Sequence, residues 1–203
     1  MRNEADAHVI RTPKAARALA APVRQEIVDA LEHAGACTIA ELAAHLERAP
    51  DGLYFHVRAL ERAGLVRRVG EKGTGRAKAA LFDVPGRPMR MDYSGSPRAR
   101  VARVGPTLDG ILRLAHRDTK RALADGGACV EGEARDLWVA RARGRVGRED
   151  LVRINGLLAE CARIVRESRG GEGTTPVALA FALTPIRPGR RATGATTSTR
   201  SKA

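Results

Sequence analysis

The chain has 203 residues and 36 Lys or Arg against 23 Asp or Glu, a formal net charge of +13 at pH 7 that favours a polyanionic partner and a salt-sensitive association. Three cysteines are too few for a disulfide-built secreted domain, the opening MRNEADAHVI lacks the apolar core of a signal segment, and the longest apolar run, 177–183, is far too short to cross a bilayer. A soluble, cytoplasmic protein without a membrane partner is expected, long enough for one small domain and a second element of similar size.

In chain order, residues 1–14 are expected to form a flexible N-terminus. The strongest signal begins at Thr38, whose hydroxyl can accept from the backbone N–H of Glu41 while the Glu41 carboxylate reaches back to the cap. Ile39, Leu42, Ala43 and Leu46 then share one face, and the small Ala43 admits a second helix at close range. Pro50 suits the first position of that second helix, where its missing N–H would be unpaired anyway, and Asp51 complements the positive helix start. Leu53, Val57 and Leu60 mark the inner face. Asp51, Gly52, Tyr54, Phe55, His56 and Arg58 are left to look outward or along the flank, and an aromatic trio there is unusual for a merely solvated surface. Gly64 fits the left-handed residue that ends a helix. The pair forms a helix-turn-helix.

Two extended runs follow, 65–69 and 79–84, around a tip rich in glycine and cations. Gly70, Gly73 and Gly75 supply the conformational freedom of a hairpin loop, and Arg67, Lys72, Arg76 and Lys78 are placed to reach phosphates or a narrow minor groove. From Arg58 to Lys78 seven Lys or Arg stand against Glu61 and Glu71, so the hairpin reads as a basic wing. Residues 86–97 concentrate Pro, Gly and Ser and read as a linker. Beyond it Val101, Val104, Leu108, Ile111, Leu112 and Ala115 recur at helical steps, with Gly105-Pro106 expected to kink that helix or mark its start. A strand is expected over 137–143, with Trp138 in a core, and a helix over about 149–168. Leu151, Ile154, Leu158, Cys161 and Val165 form its apolar stripe, which suits either a helix-helix seam between two copies or an intrachain core. A second short strand, 175–184, could pair with the first. Residues 186–203 carry five basic and no acidic side chains and are expected to be a disordered tail.

The order of these pieces resembles the winged helix-turn-helix regulators of the ArsR-like class. The likeness is carried by Ala18 to Arg24, Ile27 to Leu31, Thr38 to Leu46 and Leu60 to Val66, and it covers residues 15–85. It implies a dimeric transcription factor whose second motif helix lies in the major groove. The turn departs from the class, with Glu47 and Arg48 standing where a Gly and an apolar residue are usual. Metal-sensing members carry a Cys-x-Cys at the positions of Thr38 and Ala40; neither is a cysteine, and Cys37 with His33 offers only two of the three or four ligands that a tight zinc site needs. A patchier resemblance, through His116 to Asp118, Gly147 to Asn155 and Ala180 to Pro185, likens residues 98–185 to the C-terminal half behind some such domains. It implies a dimerisation or effector domain without naming a ligand.

The expected fold is thus mainly α with small β elements (α+β): a winged helix-turn-helix over 15–85 and a helix-strand-helix-strand unit over 98–185. The expected function is sequence-specific binding of double-stranded DNA by a homodimeric repressor that needs no cofactor or metal. DNA contacts are assigned to Thr38, Asp51, Gly52, Tyr54, Phe55, His56, Arg58, Arg67, Lys72, Arg76 and Lys78. Dimer contacts are assigned to Leu108, Ile111, Leu151, Ile154, Leu158 and Val165, and a small-molecule effector is left open. The alternative is a basic module that binds nucleic acid without sequence preference or docks on a protein. No nucleophile-base pair, HExxH, Walker-type or GxGxxG motif supports an enzyme.

Overall fold

In the computed structural model, which describes residues 7–75, 78–168 and 170–186, helices dominate and the strands are short. Thr12 begins the first helix, α1 (Pro13–Leu19), by accepting a hydrogen bond from the Ala15 N–H, with Pro13 at the position where no donor is needed. Helix α2 (Pro22–Ala34) buries Ile27, Val28 and Leu31. Helix α3 (Ile39–His45) starts with the expected capping box of Thr38 and Glu41 and buries Ile39, Leu42 and Ala43; α4 (Pro50–Arg62) buries Leu53, Val57 and Leu60 and is followed by Gly64 at φ 73°. Leu19, Ile27, Leu31, Leu42, Leu53, Leu60 and Leu65 are essentially sealed from solvent, so a single core joins all four helices.

The wing is an antiparallel hairpin of β2 (Arg67–Lys72) and β3 (Ala79–Asp83), paired from Arg67 opposite Asp83 to Lys72 opposite Ala79. Its register shifts between Arg68 and Gly70, so Gly70 lies within the strand beside an irregularity rather than in the loop. Gly73 and Gly75 do take positive φ, 100° and 58°. Cys37 exchanges both backbone hydrogen bonds with Phe82, at 3.0 and 2.8 Å, and ties the entry of the helix-turn-helix to the wing.

Two segments differ from expectation because each supplies what the other lacks. His8–Ile10, inside the expected flexible N-terminus, forms β1, and Met89–Met91, inside the expected linker, forms β4; the two pair in parallel with Ile10 buried. A three-residue strand leaves little local pattern, and its backbone groups are satisfied only by the partner some 80 residues away.

Helix α5 (Pro97–Asp125) runs through Pro106 instead of starting there. It is held on both sides of the proline: Ser96 caps it through the Ala99 N–H, Arg103 pairs with Asp92 at 2.5 Å, and the Arg113 guanidinium donates to the Ala20 carbonyl at 2.7 Å. Gly110 lets the helix lie directly on the end of α1, since a Cβ there would stand 2.5 Å from the Leu19 carbonyl oxygen. Thr107, buried at the same contact, donates to the Ala16 carbonyl at 3.4 Å. The helix expected to open a second unit therefore packs on α1 and α2.

The strands expected over 137–143 and 175–184 do not form; among the described residues 126–147 and 170–186 contain no helix or strand. A strand exists by pairing, and here neither run meets a partner edge, so Val139 and Phe181 stay exposed. Trp138, expected in a core, is also exposed, with the Arg135 guanidinium 3.7 Å above its ring. The helix-strand-helix-strand order thus reduces to α5, α6 (Arg148–Glu167) and irregular chain, and α6 has no buried residue.

Candidate nucleic-acid interface

The turn between α3 and α4 sets the direction of α4. Glu47 takes φ 51°, in the left-handed region that favours glycine, and the Arg48 N–H then bonds the Ala43 carbonyl at 3.0 Å before Pro50 opens the next helix. Arg48 also pairs with Glu26 on α2 at 2.9 Å, and Glu26 pairs in turn with Arg117 on α5 at 2.6 Å. The turn is therefore fastened to two helices by one carboxylate.

With Leu53, Val57 and Leu60 inward, α4 presents Asp51, Gly52, Tyr54, Phe55 and Arg58 to solvent, Tyr54 at 52% and Phe55 at 66% exposure. Large aromatic side chains without a covering neighbour, on a helix held this firmly, form a surface for contact rather than for packing within the chain. His56 departs from this face. It is half-buried on the flank toward α2, where it lines an open cleft of about 350 Å³ with Val23, Arg48 and Gly52. Its Nδ1 is buried without a hydrogen-bond partner, and burial, then Arg24 and Arg48, hold its basicity below the ordinary histidine value. The edge of Phe55 stands against its ring at 5.5 Å between centroids.

Thr38 requires a correction as a DNA contact. It is 6% exposed, and its hydroxyl accepts from the Glu41 N–H at 3.2 Å while donating to the Glu41 carboxylate at 2.9 Å, so the one proton it could offer a phosphate is already used within the cap. Lys72 reaches across to the same carboxylate at 2.5 Å and fastens the wing to the start of α3. That contact, with the Thr38 N–H and hydroxyl behind it, lowers the Glu41 pKa to about 2. On the wing Arg68 and Lys78 flank Glu71 at 2.5 and 3.6 Å, whereas exposed Arg67 has no carboxylate partner among the described residues. Arg76 lies outside the described residues, as do 1–6 and most of the basic tail expected at 186–203.

A second basic feature was not visible in the sequence. Lys14 and Arg17 of α1, Arg24 of α2 and Arg62 of α4 line one open cleft of about 430 Å³. Their positions in the chain share no motif, and only the packing of three helices makes them neighbours. The sequence-assigned dimer residues are not core: Leu108 and Leu151 are exposed, while Ile111, Ile154, Leu158 and Val165 are half-buried along α5 and α6. Cys37 is buried, its thiol 3.5 Å from the Gly35 carbonyl oxygen, and among the described residues no three His, Cys, Asp or Glu side chains converge as a metal site would need.

A helix pair joined by a short turn, with its second helix exposed and a basic hairpin behind it, defines a winged helix-turn-helix arrangement. Comparison with protein families agrees over its centre: residues 19–69 match the model of a helix-turn-helix domain, the fold of DNA-binding regulators. That span takes in α2, α3 and α4 and ends at the first residues of the wing. Among curated proteins, none matches the chain. No helix among the described residues is long and apolar enough to cross a membrane.

Proposed function

We propose that this chain is a sequence-specific transcriptional regulator of the ArsR-like class that binds double-stranded DNA as a homodimer and represses. The observation that carries the reading is the exposed aromatic and basic face of α4, Tyr54, Phe55 and Arg58, on a helix whose other face is sealed into the core. That face enters the major groove, with the rings against thymine methyl groups and Arg58 on a base edge or phosphate. The wing, through Arg67 and Lys78, grips the flanking backbone, and Lys72 does so by exchanging Glu41 for a phosphate. His56 supports the inner flank of the helix from its half-buried position.

Pairing of two copies is supported by α5 and α6, which leave Leu108, Leu112, Leu151 and Leu157 exposed, whereas the leucines of α1 to α4 are buried. A two-fold dimer places two copies of α4 about 34 Å apart, one turn of the duplex. Selection of bound sequences from a random duplex pool, followed by footprinting, tests the reading. Enrichment of a two-fold site is expected, and Tyr54→Ala and Phe55→Ala should relax preference at particular base pairs. Equal losses on selected and scrambled DNA would remove those residues from base readout and favour binding without sequence preference, for which the exposed cations of the wing are the support. A monomer both free and on DNA would remove the dimer.

A further inference from the structure

Among the described residues, several cations that reach from one element to another pair with a carboxylate. Arg48 and Arg117 share Glu26, Lys72 has Glu41, Arg87 has Asp83 and Arg103 has Asp92. The cleft between α1, α2 and α4 breaks this pattern. Lys14, Arg17, Arg24 and Arg62 converge on it from three helices, and among the described residues none of the four pairs with a carboxylate. The Arg24 Nε is buried without a hydrogen-bond partner, and the Arg62 Nε makes only a long bond, 3.3 Å, to the Arg58 carbonyl. A buried unpaired donor such as the Arg24 Nε and like charges gathered from three helices both disfavour the free protein, and one anion with several acceptor oxygens relieves both. The other residues that line the cleft, Ala18, Ala59 and Ala63, are small.

We propose that this cleft is a phosphate-binding site, distinct from the exposed face of α4. A phosphate group matches it in charge, in size and in the number of oxygens it offers to three guanidinium groups and an ammonium. Carboxylates are smaller acceptors that would leave donors of the four side chains unused. The group arrives either on a nucleic-acid backbone, since Arg62 lies one turn beyond Arg58 on α4, or on a free phosphorylated small molecule.

The experiment uses the full chain, a Lys14→Gln/Arg17→Gln variant, an Arg62→Gln variant, and an Arg141→Gln/Arg153→Gln variant that removes the same charge as the first outside the cleft. Lys14, Arg17 and Arg62 are exposed, so these changes leave the core of α1 and α4 intact, which circular dichroism and Tm verify. Inorganic pyrophosphate is titrated at constant ionic strength, with thermal stabilisation as readout. In parallel, binding to a random-sequence duplex is followed against salt. A free-phosphate site gives saturable stabilisation that both cleft variants lose and the outside variant keeps. A backbone-phosphate site gives a salt slope that falls by about two in the double cleft variant and about one in Arg62→Gln.

Either result, with the outside variant unaffected, supports the site. The proposal is overturned if pyrophosphate gives no saturable effect and the duplex slope is unchanged, or if the outside variant loses as much as the double cleft variant. Saturation by pyrophosphate without duplex binding would leave this site standing and defeat the regulator reading. Sequence-selective duplex binding with neither cleft effect would do the reverse.

Discussion

The part of the chain from β1 to α5 and the part beyond Gly126 use similar residues to different ends. In the first, Leu19, Leu31, Leu42 and Leu60 are sealed by one another, and ion pairs such as Arg48 with Glu26 bind separate elements together. In the second, α6 carries a regular apolar stripe with no buried residue, and its ion pairs, Arg163 with Glu160 and Glu167, stay within the helix at 2.6 and 2.7 Å. Periodicity makes an amphipathic helix in both places, but it does not supply the partner that turns an apolar face into a core. The first region positions a surface, and the second offers one.

The largest effect that should separate the two regions is Leu31→Ala. Leu31 is fully buried, so the variant is expected to lose about 2 to 5 kcal/mol in chemical denaturation; a loss below 1 would mean the core is not the stabilising body. Gly110→Ala should come next. Its new methyl meets backbone of α1, and overpacking of about 1 to 3 kcal/mol outweighs the helix propensity gained, about 1 kcal/mol, so Tm should fall. A rise in Tm would instead detach α5 from the first region.

Glu47→Gly should act in the opposite direction. Relief of the left-handed residue is worth about 1 to 2 kcal/mol, partly offset by the freedom glycine adds to the unfolded chain, so a net gain of up to about 1 kcal/mol is expected. A loss would show that the turn needs its side chain. The tie between wing and α3 is the subject of a pH test. Because folding lowers the Glu41 pKa from 4.5 to about 2, its contribution is complete above pH 4.5 and disappears as pH falls toward 2. The Tm difference between the wild type and Glu41→Gln should shrink over that window; a difference constant with pH would exclude the charge.

Leu157→Ala on α6 should give the smallest effect, within about 0.5 kcal/mol at low protein concentration, because the side chain is 57% exposed. A larger loss that grows with protein concentration would show that a second copy covers the stripe, and would make the two regions alike in the assembly.

Much of the helix-turn-helix was legible because its determinants are local. Thr38 and Glu41 lie three residues apart, Pro50 and Gly64 bracket α4, and Leu53, Val57 and Leu60 repeat at helical steps, so each signal fits within one or two turns. The wing was legible for the same reason, apart from the place of Gly70. Elements made by remote partners were not. The pairing of β1 with β4, the passage of α5 through Pro106 and the exposure of 137–143 each depend on whether another segment arrives. At the candidate interface, Tyr54 and Phe55 face outward as helix geometry requires, but Thr38 and His56 do not serve that face. The capping that made Thr38 conspicuous in the sequence is also what removes it from solvent, and α2 with Arg24 and Arg48 takes up the side of α4 on which His56 lies.

Local signals suffice for the ends of α3 and α4 and for which of their faces is apolar, since caps and periodicity act over a few residues. The packing of α5 against α1, the closure of Lys72 onto Glu41 and the gathering of four cations from three helices at one cleft arise in the folded chain alone. Those outcomes depend on distances between residues far apart in the chain, which close packing sets and local propensity does not.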